Sequence, residues 1–139
     1  MTLPVALSLV LALLAVAHAW WATGGIWPSA SEPALARAVI GDGRSRMPPP
    51  WQCAAVAGAL AVVSAWPWVI MAWPDDSFVL IGSIVVGAIF FLRGTAGYSA
   101  RWRKRFTAEP FRTRDFYLYS PLCLALGVGF FALLTREMG

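Results

Sequence analysis

The side chains that could do chemistry in this chain gather beside long apolar stretches. His18 lies within the first stretch, and Arg93 lies near the end of the third. Asp115, Tyr117 and Tyr119 stand where the fourth begins. A histidine beside a carboxylate and tyrosines can transfer protons, and an arginine can bind an anionic group. These five residues are therefore candidates for a ligand-binding or catalytic site, and the alternative is that they are interfacial anchors.

The familiar sequence patterns of catalysis and metal binding are missing. The chain has one histidine and two cysteines, and it carries no phosphate-binding loop and no nucleophile elbow. Cys53 and Cys123 both fall inside apolar stretches, which favours small buried hydrophobic side chains over metal ligands. We therefore predict no metal ion and no cofactor, and the residues give no catalytic constellation from which to predict an enzyme.

The composition indicates a protein that lies in lipid. Of the 139 residues, 59% are hydrophobic and 13% are charged, whereas soluble domains are about 45–50% apolar and about 25% charged. The basic residues lie between the apolar stretches, as they do in the cytoplasmic loops of membrane proteins. This placement excludes nucleic acid as the expected partner, although the net charge is +4.

Four stretches are long enough to span a bilayer. A helix of about 19 residues is roughly 28 Å long, which matches the hydrocarbon core. The first could instead be a signal peptide cleaved after Ala19, but no basic residue precedes it, and we expect it to stay as a span. We predict a single domain, residues 1–139, whose spans are 3–21, 51–73, 77–97 and 116–134.

The predicted fold is an all-α integral membrane protein, an antiparallel bundle of four transmembrane helices. The short turn Pro74–Ser77 makes the second and third spans antiparallel neighbours. Small residues at helical spacing allow close helix packing, and they are Ala54, Gly58, Ala61, Ser83, Gly87, Ala125 and Gly129. Ser31 can cap a short interfacial helix in the first cytoplasmic loop, and Gly41 can end it.

The basic residues give the bundle a direction. All of the eleven basic residues except Arg136 fall in or beside the first and third connections. The positive-inside rule then places both connections in the cytoplasm and both termini on the periplasmic side of a bacterial inner membrane. The third connection begins with a segment that we expect to extend the third helix and to contact lipid headgroups, namely Arg101, Trp102, Arg103, Lys104 and Arg105.

Two stretches of the sequence resemble a known family. One is His18-Ala-Trp-Trp-Ala-Thr-Gly-Gly25 with Trp27-Pro28, and the other is Tyr119-Ser-Pro-Leu-Cys-Leu-Ala-Leu-Gly127. Together with the four-span layout, they resemble the small bacterial membrane proteins catalogued as a domain of unknown function, DUF3995. The resemblance implies a four-helix bacterial membrane protein and supplies no catalytic residues.

Two functions fit these observations. The first is an accessory or structural subunit that packs against a larger membrane complex through its small-residue faces, with lipids and other membrane-protein subunits as partners. The alternative is a bundle that binds a lipid or small hydrophobic molecule, with or without catalysis, at the cytoplasmic ends of its helices. Transport would need a polar path between the helices, which the sequence barely provides.

Overall fold

The protein is built from helices alone in the part of the chain that the structure describes. The structure is a computed structural model that describes residues 1–137 and 139 in full and residue 138 by its backbone. The helices, in chain order, are α1 (Thr2–Ala22), α2 (Glu32–Val39), α3 (Pro50–Ala72), α4 (Ser77–Ala96), α5 (Ala100–Arg105), α6 (Phe111–Arg114), a π-helical turn (Asp115–Tyr119) and α7 (Ser120–Met138).

Four helical segments are long and apolar enough to cross a membrane. They are Thr2–Ala22, Pro50–Ala72, Ser77–Ala96 and Phe111–Glu137. The last joins α6, the π-helical turn and α7, and it begins five residues before the apolar stretch in the sequence because the polar residues that precede that stretch are also helical. Four such segments, alternating in direction, make this a multi-pass membrane protein and confirm the predicted all-α, four-helix fold.

The four long helices pack as two antiparallel pairs, α1 with α3 and α4 with α7. We call the end of the bundle that carries α2, α5 and α6 the basic end, and the end with the Pro74–Asp76 turn and both termini the turn end. The two pairs meet in an apolar core in the half near the turn end, formed by Leu7, Leu11, Ile70, Val79, Leu126, Phe130, Leu133 and Leu134. The apolar core therefore joins the pairs near one end only.

Glycines bring α4 and α7 close together. A Cβ added at Gly127 would lie 2.7 Å from the backbone nitrogen of Phe91 and 2.9 Å from the carbonyl oxygen of Gly87, so no side chain fits there. Gly87 in turn lies against the ring of Phe131. Ser83, which is fully buried, accepts a hydrogen bond from the indole of Trp66. The close packing expected of Ser83 and Gly87 is thus found within the chain.

Of the other small residues predicted to pack, one is buried and the rest are exposed. Gly129 is buried against Leu7. Ala125 is exposed, and so are Ala54, Gly58 and Ala61 on α3. A Cβ added at Gly58 would meet nothing within 4 Å. The small-residue face of α3 therefore has no partner within the described part of this chain.

The segment after α4 differs from the sequence-based expectation. We expected the basic residues after Ser99 to extend the third helix, but α4 ends at Ala96 and α5 is a separate helix. The reason is local, because the hydroxyl of Ser99 accepts a hydrogen bond from the backbone N–H of Trp102 and caps the new helix. The break turns the basic helix back toward the start of the fourth span.

Candidate functional site

A cavity of about 380 Å³ lies between the two helix pairs near the basic end. It exists because the apolar core joins the pairs only in the half near the turn end. Its walls are mostly apolar, with polar groups from His18, Arg93 and Tyr119. The remaining lining residues are Leu14, Trp21, Val39, Val56, Leu60, Phe90, Phe111, Leu122 and Cys123. An apolar cavity of a few hundred Å³ with a few polar groups is typical of small-molecule sites.

Arg93 is held by a buried polar cluster at the wall of this cavity. Its Nη2 donates to the carboxylate of Asp115 at 2.6 Å, and its Nη1 donates to the hydroxyl of Ser120 at 3.3 Å. The guanidinium also lies over the indole of Trp102, 4.3 Å from the ring centroid. The second oxygen of Asp115 accepts from the indole N–H of Trp102 at 2.9 Å. Asp115 is 1% exposed, so its charge is compensated inside the protein and not by water.

The π-helical turn at the start of the fourth span places two partners on Arg93. In this turn the backbone N–H of Ser120 bonds to the carbonyl of Asp115, five residues earlier. Residues five apart therefore lie on one face, and the side chains of Asp115 and Ser120 both reach Arg93. Gly97 completes the fit, because a Cβ there would overlap the hydroxyl of Ser120.

His18 presents one ring nitrogen that bonds to nothing in the described part of the chain. Its Nδ1 lies 2.8 Å from the carbonyl oxygen of Leu14, which can only accept, so Nδ1 carries a proton. In the neutral ring Nε2 is then left as a hydrogen-bond acceptor. The indole of Trp21 packs edge-on against the imidazole at 4.9 Å between centroids. His18 is one of the residues that line the cavity.

The first connection covers the cavity at the basic end. The hydroxyl of Tyr119 donates to the carbonyl of Ala38 at 2.9 Å, which ties α2 to the fourth span. The guanidinium of Arg37 donates to the carbonyl of Glu109 at 3.2 Å. Val39, the last residue of α2, forms part of the cavity wall. Helix α2 therefore acts as the cover of the site and not only as an interfacial segment.

The end of α2 is fixed by backbone geometry. Gly41 adopts a left-handed φ of 78°, and a Cβ there would overlap the ring of Phe111. Its carbonyl accepts from the N–H of Ala108 at 3.0 Å. Further along, a hydrogen bond from Arg44 lowers the pKa of the Asp42 carboxyl, and the two side chains form an ion pair at 2.7 Å. The first connection is therefore held by an ion pair of its own and by a backbone hydrogen bond to the third connection.

The structure separates the five candidate residues. It places His18, Arg93 and Tyr119 on one cavity and sets Asp115 directly behind Arg93. Tyr117 is 75% exposed and points elsewhere, beside Arg103 and Arg112 at a separate polar groove.

The basic segment after Ser99 is divided as well. Arg101, Lys104 and Arg105 are exposed. The guanidinium of Arg103 lies over the ring of Phe116 at 4.9 Å. Trp102, which we expected among the lipid contacts, points inward to Asp115. The exposed members remain candidates for headgroup contacts.

Sequence reasoning placed Ser120 with the polar groups at the start of the fourth span, but it missed Trp102 and Trp21 as parts of the site. The position of Trp102 within a basic segment is typical of an interfacial aromatic residue. Its indole points to Asp115 because the helix breaks before α5. The role of Ser120 depends on the π-helical turn, for which the sequence carries no signal that we recognise. Trp21 lies three residues after His18, so the helical spacing could have indicated that their rings are in contact.

Comparison with known proteins gives one match. The model of a family described as "Protein of unknown function (DUF3995)" matches residues 11–130. No curated protein matches the chain, and no solved structure matches it.

Proposed function

The chain belongs to the DUF3995 family, whose description assigns no function. For this multi-pass membrane protein we propose that it binds a small hydrophobic molecule between its two helix pairs. The observation that carries the proposal is the cavity of about 380 Å³, whose apolar walls include the polar groups of His18, Arg93 and Tyr119. Apolar walls provide the affinity for a hydrophobic ligand, and a few polar groups fix its orientation.

The arrangement favours binding from the membrane. The cavity is lined mainly by residues of the spans, so we propose that a molecule dissolved in the bilayer enters it between the helices. Helix α2 covers the basic end, which would hold a ligand within the apolar region. A ligand of this kind would place its chain along Leu14, Leu60 and Phe90 and its polar head near Arg93.

Photolabelling tests this proposal with a cavity-filling variant. A diazirine-bearing decane derivative, added to the protein in lipid nanodiscs, should label peptides that contain cavity residues. The variant Leu60→Trp fills the cavity and should abolish that labelling, since Leu60 lines it. The matched control Val62→Trp, at a position on the same helix that is 63% exposed, should leave the labelling unchanged. Equal labelling of all three proteins would contradict the proposal.

A second candidate function is that of an accessory subunit in a larger membrane complex. The face of α3 that carries Ala54, Gly58 and Ala61 has no partner in the described part of the chain, and a helix of another protein could approach it closely. Co-purification in mild detergent tests this role. Gly58→Leu should release a bound partner, whereas Ala55→Leu, at a different exposed position of α3, should not. A wild-type protein that purifies alone would count against it.

For localisation, we propose the bacterial inner membrane, with the basic end in the cytoplasm and both termini on the periplasmic side. The proposal is supported by the position of the basic residues, all of which except Arg136 lie in or beside the connections at one end. The exposed Arg101, Lys104 and Arg105 would then contact anionic lipid headgroups, each contributing about 1 kcal/mol.

A further inference from the structure

We propose that the ligand of this cavity carries no net charge and has both a hydrogen-bond donor and an acceptor in its polar head. This inference rests on the proposed binding function and names the chemical class of the ligand. Primary amides, alcohols and quinols belong to this class, whereas fatty acids and other charged amphiphiles do not.

The charge of the cavity wall is already balanced. Arg93 is the lining residue with a permanent charge among the residues described, and at first sight it favours an anion. Its guanidinium, however, is bonded at 2.6 Å to Asp115, which is almost fully buried. Arg93 and Asp115 together have no net charge, and Trp102 and Ser120 complete their hydrogen bonds.

A charged ligand would therefore introduce an unbalanced charge. All of the lining residues except Val39 belong to the membrane-spanning segments, and most of them are apolar. Removing an ion from water without giving it an opposite charge is costly in such a place. An anion would also compete with Asp115 for the same guanidinium. Both effects disfavour a carboxylate or a phosphate relative to a neutral head of the same shape.

The two helix pairs each contribute a lining residue with unused hydrogen-bonding groups. His18 belongs to the α1–α3 pair, and its Nε2 can accept a hydrogen bond from a ligand. Arg93 belongs to the α4–α7 pair, and the N–H groups that it does not use for Asp115 and Ser120 can donate to one. A polar head group can bond to both residues if it donates an N–H or O–H to His18 on α1 and accepts from Arg93 on α4 through a carbonyl or hydroxyl oxygen.

Two isosteric compounds, decanamide and decanoate, test the charge preference. Each is used to displace the diazirine-bearing decane probe from the wild-type protein, in nanodiscs of zwitterionic lipid at about pH 9, where a carboxylic acid of ordinary pKa is ionised. Their concentrations are compared as mole fractions in the bilayer. We expect half-displacement by decanamide at a concentration at least about tenfold lower than by decanoate.

Removal of the compensating charge should reverse this preference. In Asp115→Asn the charge of Arg93 loses its partner, and decanoate should then displace the probe better than decanamide does. If this variant does not fold, the ratio of the half-displacing concentrations of decanamide and decanoate for the wild-type protein still tests the charge preference. A wild-type protein that binds decanoate as well as or better than decanamide overturns the inference, and so does one in which neither compound displaces a bound probe. Failure of the probe to label the cavity at all contradicts the proposed binding function instead.

The role of His18 has its own control. N,N-Dimethyldecanamide keeps the carbonyl but has no N–H to donate. The variant His18→Leu should weaken displacement by decanamide by about fivefold, the equivalent of one hydrogen bond, and leave displacement by the dimethyl compound unchanged. An equal effect on both compounds would show that His18 contributes packing alone.

Discussion

At the scale of single residues, the best-defined feature of the protein is the neutral cluster of Arg93, Asp115, Trp102 and Ser120. The carboxylate of Asp115 accepts from two donors, and the guanidinium of Arg93 both donates to it and lies over the indole. Breaking a buried pair by removing one partner is costly, because the remaining charge stays in an apolar environment. Replacing both partners by apolar side chains is often nearly neutral.

The variant Asp115→Leu should therefore lower the free energy of unfolding by about 3 kcal/mol. The double variant Arg93→Met with Asp115→Leu should recover a large part of that loss, because it leaves no unpaired charge. Both can be measured by reversible unfolding in mixed detergent micelles, followed by tryptophan fluorescence.

The control for this cluster is Asp75→Asn in the exposed turn between α3 and α4. It should change the free energy of unfolding by less than about 0.5 kcal/mol. A double variant that is no more stable than Asp115→Leu alone would contradict the interpretation of the cluster as a coupled pair.

At the scale of elements, α2 is held at the basic end by two hydrogen bonds and by the buried side chains of Leu35, Ala36 and Ala38. Its link to the fourth span is the hydrogen bond from Tyr119 to the carbonyl of Ala38, and Arg37 adds a bond to the carbonyl of Glu109. The bond from Tyr119 therefore joins α2 to the fourth span beside the cavity.

Tyr119→Phe should increase the local opening of α2. Loss of one hydrogen bond costs about 1 kcal/mol, which corresponds to amide exchange about fivefold faster in residues 34–39. Hydrogen–deuterium exchange in nanodiscs measures this, with Tyr117→Phe as the matched control because Tyr117 is 75% exposed. Unchanged exchange in Tyr119→Phe would mean that the hydroxyl does not hold α2.

The α4–α7 pair depends on a glycine for its close approach. Gly127→Ala would press a methyl group against the backbone of Phe91 and Gly87, and neither can move aside as a flexible side chain can. We expect a loss of about 1–3 kcal/mol of unfolding free energy. Gly58→Ala, where nothing lies within 4 Å, should be neutral or stabilising by up to about 1 kcal/mol. Similar stabilities of the two variants would contradict this packing.

At the scale of the whole molecule, the two ends of the bundle have different properties. The apolar core near the turn end holds the two helix pairs together. The basic end holds the cavity, the buried ion pair and nearly all of the positive charge. The apolar core and the candidate site therefore lie at opposite ends of the bundle, so variants near the cavity leave the side chains of that core unchanged.

The proposed orientation can be tested on intact cells. In a background without Cys53 and Cys123, Asp75→Cys should react with a membrane-impermeant maleimide added outside. Ser45→Cys, in the first connection, should react only after the inner membrane is permeabilised. Both positions are exposed, so burial does not explain a difference. The reverse pattern of labelling would place the basic end outside and contradict the proposal.

The sequence by itself determined the helical spans and the end at which the polar groups gather. Apolar stretches of about 20 residues have few alternatives to a membrane-spanning helix, since lipid offers no partner for the peptide groups. The short turn before Ser77 likewise required α3 and α4 to be antiparallel. From position along the spans alone, His18, Arg93, Asp115 and Tyr119 could be placed at similar depth.

Only the tertiary structure decided which of those side chains are in contact and whether the charge of Arg93 is paired. Tyr117 and Tyr119 are two residues apart, yet one faces outward and the other bonds to α2, because the local helical turn sets their directions. The π-helical turn and the break before α5 direct Asp115 and Trp102 onto Arg93. An arginine predicted to bind an anion is therefore already paired. Hydropathy and spacing fix depth along a span, whereas side-chain partners depend on how the helices are rotated and packed.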